Sequence, residues 1–178
     1  RYLDTSDGVS PRALPLTGGI VRGHSSEHSE EGLATADPEN RVKMVNKRFR
    51  KQEHIRRYVE RLEPIRIYGE RNAEILLVGW GSTKGPILEA MRILRGRGVR
   101  ACFLQVCYLE PFLSEKVRSL IPRYNVVIDV EGNRTGQLAG LIMEKTGLKI
   151  ERRILKYDGR PFSPEMLAKK IVEVAGIE

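Results

Sequence analysis

The chain has 178 residues, 40% of them hydrophobic and 30% charged, with a formal net charge of +8. That suffices for one well-cored soluble domain plus an extension. No apolar run approaches the ~18 residues needed to span a bilayer, and no secretory signal is visible.

Residues 1–37 are rich in Gly, Ser, Thr and Pro and lack a sustained hydrophobic period. They read as loop. The opening Arg1-Tyr2-Leu3, without Met, reads as the interior of a longer polypeptide. Within the loop, His24, Glu27, His28 and Glu30 stand close in sequence and invite a metal reading. His-x-x-x-His puts two ligands on one face only if the segment is helical, and the surrounding Gly and Ser oppose helix. A polar loop at a domain contact, with Glu27 and His28 hydrogen-bonded, fits better.

Asp37-Pro38-Glu39 has the form of a helix start, with Asp as N-cap and Pro at the first helical position. The helix runs to about Leu62, before Pro64. Val42, Val45, Phe49, Ile55, Tyr58 and Leu62 read as its apolar stripe. From Asn40 to Arg61 there are nine Arg or Lys against two acids, so most of the chain's charge belongs to this helix. Such a helix can meet nucleic acid through phosphates, or an acidic protein surface. Phe49 and Tyr58 are its only aromatics, and both are assigned to the stripe rather than to the charged face.

From about Ile65 strands and helices alternate. A short edge strand at 66–68 leads to an apolar strand at 74–79, a helix at 83–97 and a strand at 99–107. A short helix at 114–121 and a strand at 126–130 follow. The chain closes with a helix at 135–146, a strand at 152–157, a turn at Asp158-Gly159 and a helix capped by Ser163-Pro164. This order predicts an α/β fold with a three-layer, mostly parallel sheet and helices on both faces, preceded by a loop and a long basic helix. Cys102 and Cys107 lie five apart on one strand, hence on opposite faces. They neither bridge nor supply a four-thiolate site. Such cysteine usage fits a cytosolic protein.

In an open α/β sheet, ligands and partners meet the carboxyl ends of strands. The 126–130 strand ends at Glu131-Gly-Asn133, and Gly136-Gln137 then open the next helix. Gly79-Trp-Gly-Ser-Thr-Lys-Gly85 also follows a strand, but its spacing is neither a P-loop nor Gly-x-Gly-x-x-Gly. It reads as a tight turn with Ser82 or Thr83 as cap, and a nucleotide-binding role stays the weaker alternative. Arg160, in the turn Asp158-Gly-Arg-Pro-Phe162, is a candidate for binding a carboxylate or phosphate.

Several blocks, in order, resemble the alpha subunit of 2-oxoacid:ferredoxin oxidoreductases, relatives of pyruvate:ferredoxin oxidoreductase. They are Asp7-Gly-Val-Ser-Pro-Arg12; Glu27-His28 with Gly32; and Asp37-Pro-Glu-Asn-Arg41 through Lys47-Arg48 and Lys51. Gly79-Trp-Gly-Ser82, Pro111-Phe112, Glu131-x-Asn133-x-x-Gly136-Gln137-Leu138 and Tyr157-Asp-Gly-Arg-Pro-Phe162 complete the set. The resemblance implies that residues 65–178 are a transketolase C-terminal-like domain. It makes 38–64 a basic linker helix and 1–37 the loop-rich tail of an upstream thiamine-enzyme domain. It implies an assembled cytoplasmic hetero-oligomer with a beta subunit, using thiamine diphosphate, Mg²⁺, an iron–sulfur cluster and coenzyme A and passing electrons to ferredoxin. None of these cofactors is expected on this segment alone, and no catalytic residue is transferred to it. Glu131, Asn133, Gly136, Gln137, Arg160, Glu27 and His28 are then expected at interfaces, serving assembly and closure of the site. A membrane or nucleic-acid partner is not implied.

Overall fold

The computed structural model describes residues 2–14, 16–18, 23 and 25–177. The chain divides into two compact units, Arg1–Arg61 and Leu62–Glu178.

In the first unit, α1 spans Pro38–Arg61. Asp37 caps it as the sequence predicts, its Oδ2 accepting the Asn40 N–H at 2.8 Å. The predicted apolar stripe is not the buried one, and the apolar residues that are buried lie outside it. Met44 and Val59 are buried, whereas Val42 is 60% and Phe49 67% exposed. Phe49 and Tyr58 are nine residues apart, about two and a half turns, and so lie on opposite sides of the helix. The six-residue gap between Phe49 and Ile55 is where the i+3/i+4 series fails.

The helix face carrying Asn40, Met44, Lys47 and Lys51 is organised by the preceding loop. The Lys47 ammonium donates to the Tyr2 carbonyl at 3.0 Å and to the Ser10 hydroxyl. Arg50 pairs with Asp4 and Lys43 with Glu30. Gly8, at φ 75°, lies so near α1 that a Cβ there would stand 2.5 Å from the Lys47 carbonyl.

The second unit is built on five strands: β1 Ile65–Gly69, β2 Ile75–Trp80, β3 Ala101–Val106, β4 Val126–Glu131 and β5 Arg152–Leu155. Their order is β1-β3-β2-β4-β5. Only β1, at the edge, is antiparallel to its neighbour. Helices α2 (Lys84–Gly96) and α5 (Pro164–Ala175) cover one face, and α3 (Ser114–Leu120) and α4 (Gln137–Thr146) the other. The three-layer expectation holds.

Strand alternation assigns the two cores. Ile75, Leu77, Phe103, Ile128 and Val130 pack beneath α2 and α5, while Leu76, Val78, Cys102 and Leu104 pack beneath α3 and α4. Each such wholly buried aliphatic side chain contributes on the order of 1.5–3 kcal/mol. No helix among the described residues is long and apolar enough to cross a membrane.

Gly79 lies at the close approach of β2 to α2. An added Cβ would meet the Thr83 hydroxyl at 2.8 Å, Ile87 Cδ1 at 3.0 Å and the Val130 carbonyl at 3.1 Å. Thr83 Oγ1 bonds back to the Trp80 carbonyl at 2.9 Å instead of capping α2 forward, as the sequence reading had it do. The turn after β2 is thus shaped by packing. Gly79→Ala should lower the urea midpoint by the equivalent of ~1–3 kcal/mol. Gly85→Ala, where a Cβ enters open space, should be neutral or slightly stabilising.

Candidate functional site

β2 connects to one side of the sheet, to β3, and β4 to the other, to β5. The crevice between the carboxyl ends of β2 and β4 is therefore the position where open α/β sheets take ligands. Trp80 is the last residue of β2 and Glu131 the last of β4. The Trp80 indole N–H donates to Glu131 Oε2 at 2.9 Å and closes the crevice.

Glu131 is fully buried. Its Oε1 accepts the Leu138 N–H at 2.8 Å and the Ala139 N–H at 3.2 Å, in the first turn of α4. Its Oε2 accepts Trp80 and the Asn133 amide at 2.7 Å. A residue at a strand end thus does the work of an N-cap five positions further on. The residue at the cap position, Gly136, has no side chain to offer and sits at φ 68°, in left-handed space. The charge of Glu131 also lies at the positive end of the helix.

Asn133 holds the intervening turn. Its Oδ1 accepts the backbone N–H groups of Thr135 at 3.1 Å, Gly136 at 2.8 Å and Gln137 at 3.4 Å. Thr135 and Gly136 stay outside α4, which begins at Gln137 and not at the predicted Thr135. The neighbour at Gly136 is Arg153 of β5, whose Nη1 would stand 3.0 Å from an added Cβ.

Asp129 precedes Glu131 by two on the same strand and so shares its face. It is fully buried, and neither carboxyl oxygen finds a hydrogen-bond donor. Burial, and then the Glu131 carboxylate beside it, push Asp129 up to about 8. Burial acts to raise Glu131 as well. The Asp129 carboxyl, the Leu138 N–H, Trp80 and Asn133 outweigh it and hold Glu131 below the usual carboxylate range. The pair therefore favours a proton on Asp129 and the negative charge on Glu131.

Of the sequence-predicted interface residues, five lie in the second unit and two, Glu27 and His28, in the first. Glu131, Asn133 and Gly136 do come together, but their contacts are spent inside the domain. Gln137 and Arg160 are exposed, the Arg160 N–H closing a turn onto Asp158 at 3.1 Å. Glu27 receives the Arg48 guanidinium at 2.8 and 3.1 Å. His28 is buried and stacks on Tyr2 with ring centroids 4.1 Å apart. Both lie inside the loop–helix unit, and His24 lies outside the described residues. Asp129 was missed. Its signal was a lone acid inside an apolar strand.

The donor set does not fit a metal or iron–sulfur centre. Among the described residues no three His, Cys, Asp or Glu side chains are grouped to hold an ion. Cys102 is buried in the core and Cys107 is exposed. No step through such a group is assigned to these residues.

The five-stranded α/β/α domain has a fold of the transketolase C-terminal type. A split-gene transketolase shares the fold, with a TM-score of 0.53 at 16% identity over 65% of this chain and 43% of that one. The family model for pyruvate:ferredoxin oxidoreductase core domain II matches residues 73–167, and the chain belongs to that family. It is 41% identical, over 97% of its length, to 2-oxoacid:ferredoxin oxidoreductase 2, subunit alpha, from Aeropyrum pernix. The chain covers 27% of that relative, so it spans about a quarter of the relative's length. The 2-oxoglutarate:ferredoxin oxidoreductase from Magnetococcus marinus, solved with 2-oxoglutarate, coenzyme A and succinyl-CoA bound, superposes with a TM-score of 0.79. It is 30% identical, with 98% of this chain and 30% of that one covered.

Two outcomes test the junction. Asn133→Ala should destabilise the chain by ~1–2 kcal/mol, because it strands turn N–H groups and one Glu131 bond. Gln137→Ala should stay within about 0.5 kcal/mol. Urea melts of both variants distinguish internal from external roles.

The second outcome concerns pH. The folded pKa of Asp129 lies above its ordinary 3.8, at about 8. Between these values the folded chain holds a proton that the unfolded chain has released. Stability from this group is full below the lower value and falls as pH rises towards the upper one, by at most about 1.4 kcal/mol per pH unit. Asp129→Asn should flatten the dependence of the melting temperature on pH between about 5 and 8. An unchanged slope would mean that Asp129 ionises normally.

Proposed function

We propose that this chain forms the C-terminal part of the alpha subunit of a thiamine-dependent 2-oxoacid:ferredoxin oxidoreductase. The assembled enzyme decarboxylates a 2-oxoacid oxidatively to an acyl-CoA and reduces ferredoxin. The observation carrying this reading is the 41% identity to an alpha subunit along 97% of the chain. The likeness to the 2-oxoglutarate enzyme, over 98% of the chain, supports it.

In this reading residues 65–178 are the transketolase-like assembly domain, 38–64 a linker helix and 1–37 the tail of an upstream thiamine domain. Thiamine diphosphate, Mg²⁺, the iron–sulfur cluster and coenzyme A act in the cytoplasmic assembly of alpha and beta subunits. This segment's contribution is subunit assembly and closure of the site against water. Gln137, exposed at the start of α4, and Arg160, exposed in the turn after β5, are the residues of the original set best placed to meet a partner. The basic helix does not favour nucleic acid. Arg41 and Arg48 are directed at Glu27, Lys43 at Glu30, Arg50 at Asp4 and Arg56 at Glu53 and Glu60.

The test is 2-oxoacid-dependent reduction of a dye or ferredoxin, with thiamine diphosphate, Mg²⁺ and coenzyme A present. The chain alone should show no turnover. The complete alpha subunit with its beta subunit should be active, and removal of residues 62–178 should abolish beta-subunit binding. Turnover by the chain alone, or full assembly without 62–178, would refute the proposal.

A further inference from the structure

The loop–helix unit contains a cavity of about 810 Å³, bordered by the 8–13 turn, residues 25–28 and one face of α1. Its lining carries five cations, Arg12, Arg41, Lys47, Arg48 and Lys51, against one carboxylate, Glu27. That carboxylate is already engaged, by Arg48 at 2.8 Å and Arg41 at 3.8 Å. Arg12 and Lys51 have no carboxylate partner among the described residues.

Lys47 is only 8% exposed. Its ammonium rests on two neutral acceptors, the Tyr2 carbonyl and the Ser10 hydroxyl. Burial lowers its pKa. Asp4 and Glu30 act on it only through space, each being paired to another cation, and a buried ammonium without a directly paired carboxylate is costly unless an anion approaches it. Ser25 and Ser26 add hydroxyl donors to the same lining. The volume lies within the ~300–1,000 Å³ usual for small-molecule sites, and a concave surface of one sign concentrates the opposite ion.

We propose that this cavity binds a small phosphate-bearing ligand, its anionic group seated among Arg12, Lys47 and Lys51. Lys47 and Lys51 stand one helical turn apart on the same face, roughly 6 Å between side-chain origins. Two adjacent phosphates on one compact group meet both ammonium groups at that spacing. The carboxylates of a polypeptide, each on its own residue, match it less well. Guanidinium and ammonium groups together are the side-chain chemistry of phosphate recognition. The inference rests on these residues alone and does not depend on the oxidoreductase reading.

Calorimetric titration of the full chain with inorganic pyrophosphate at low ionic strength tests it. Saturable one-to-one binding is expected. Arg12→Ala with Lys51→Ala should weaken it at least ~10-fold, since a charge-assisted hydrogen bond is worth ~1.5–3 kcal/mol. Lys169→Ala with Lys170→Ala removes the same charge from exposed positions of α5 and should change affinity less than ~2-fold. Circular dichroism checks that both double variants stay folded. Absence of saturable binding overturns the proposal, as does equal weakening by the two pairs, which would mean diffuse attraction to a basic chain. Displacement of pyrophosphate by a tighter-binding oligoglutamate peptide also overturns it and assigns the groove to an acidic polypeptide.

Discussion

The second unit depends on one buried anion. Glu131 ends a central strand, and from that point it satisfies two backbone N–H groups of α4, the Trp80 indole and the Asn133 amide. Strand β4, helix α4 and the end of β2 are thereby fixed to a single carboxylate. Removing such a group from water is costly, and the cost is met only if every acceptor position is filled and the charge lies at a helix N-terminus. Here both conditions hold. The neutral Asp129 beside it completes the arrangement, because two ionised carboxylates could not share this dry face.

Much of the architecture was legible in the sequence. Apolar runs at Ile75–Val78 and Val126–Val130 marked strands, and Asp37 and Ser163 marked helix starts through their side-chain oxygens. Gly147 closes α4 in left-handed space, where the sequence placed the stop. What escaped were facts of three-dimensional pairing. The Glu131–Gln137 stretch was visibly unusual, but the sequence alone could not tell an inward polar cluster from an outward one. Its partner, Trp80, lies 51 positions away. The α1 stripe failed for a different reason. Val42 and Phe49 share a side that the first unit leaves exposed, whereas Met44 and Lys47 share the side that its loop covers. A list of apolar residues at roughly helical intervals does not separate these two faces. Asp129 was hidden by its neighbours, since an acid among Val and Ile was counted as strand and not as a buried charge problem.

The two units spend their polar groups differently. In the α/β unit the carboxyl-edge residues are used to lock secondary structure, which leaves a stiff body. In the loop–helix unit, basic residues of α1 are spent on ordering a segment with little apolar content of its own. Ion pairs at partly exposed positions are each weak. Several of them, acting along one helix, nevertheless hold a loop that has no independent core. The first unit is accordingly organised by charge and the second by apolar packing.

Trp80 is the only tryptophan in the chain. Its indole N–H points at the carboxylate on which the β4–α4 junction depends. The protein thus carries one indole fluorophore, hydrogen-bonded to the carboxylate at the centre of that junction. Its emission wavelength follows the charge and hydration of Glu131 without any added label. Loosening of α4, ionisation at Asp129 or pressure from a docked subunit would each reach that ring, so the junction reports optically on its own state.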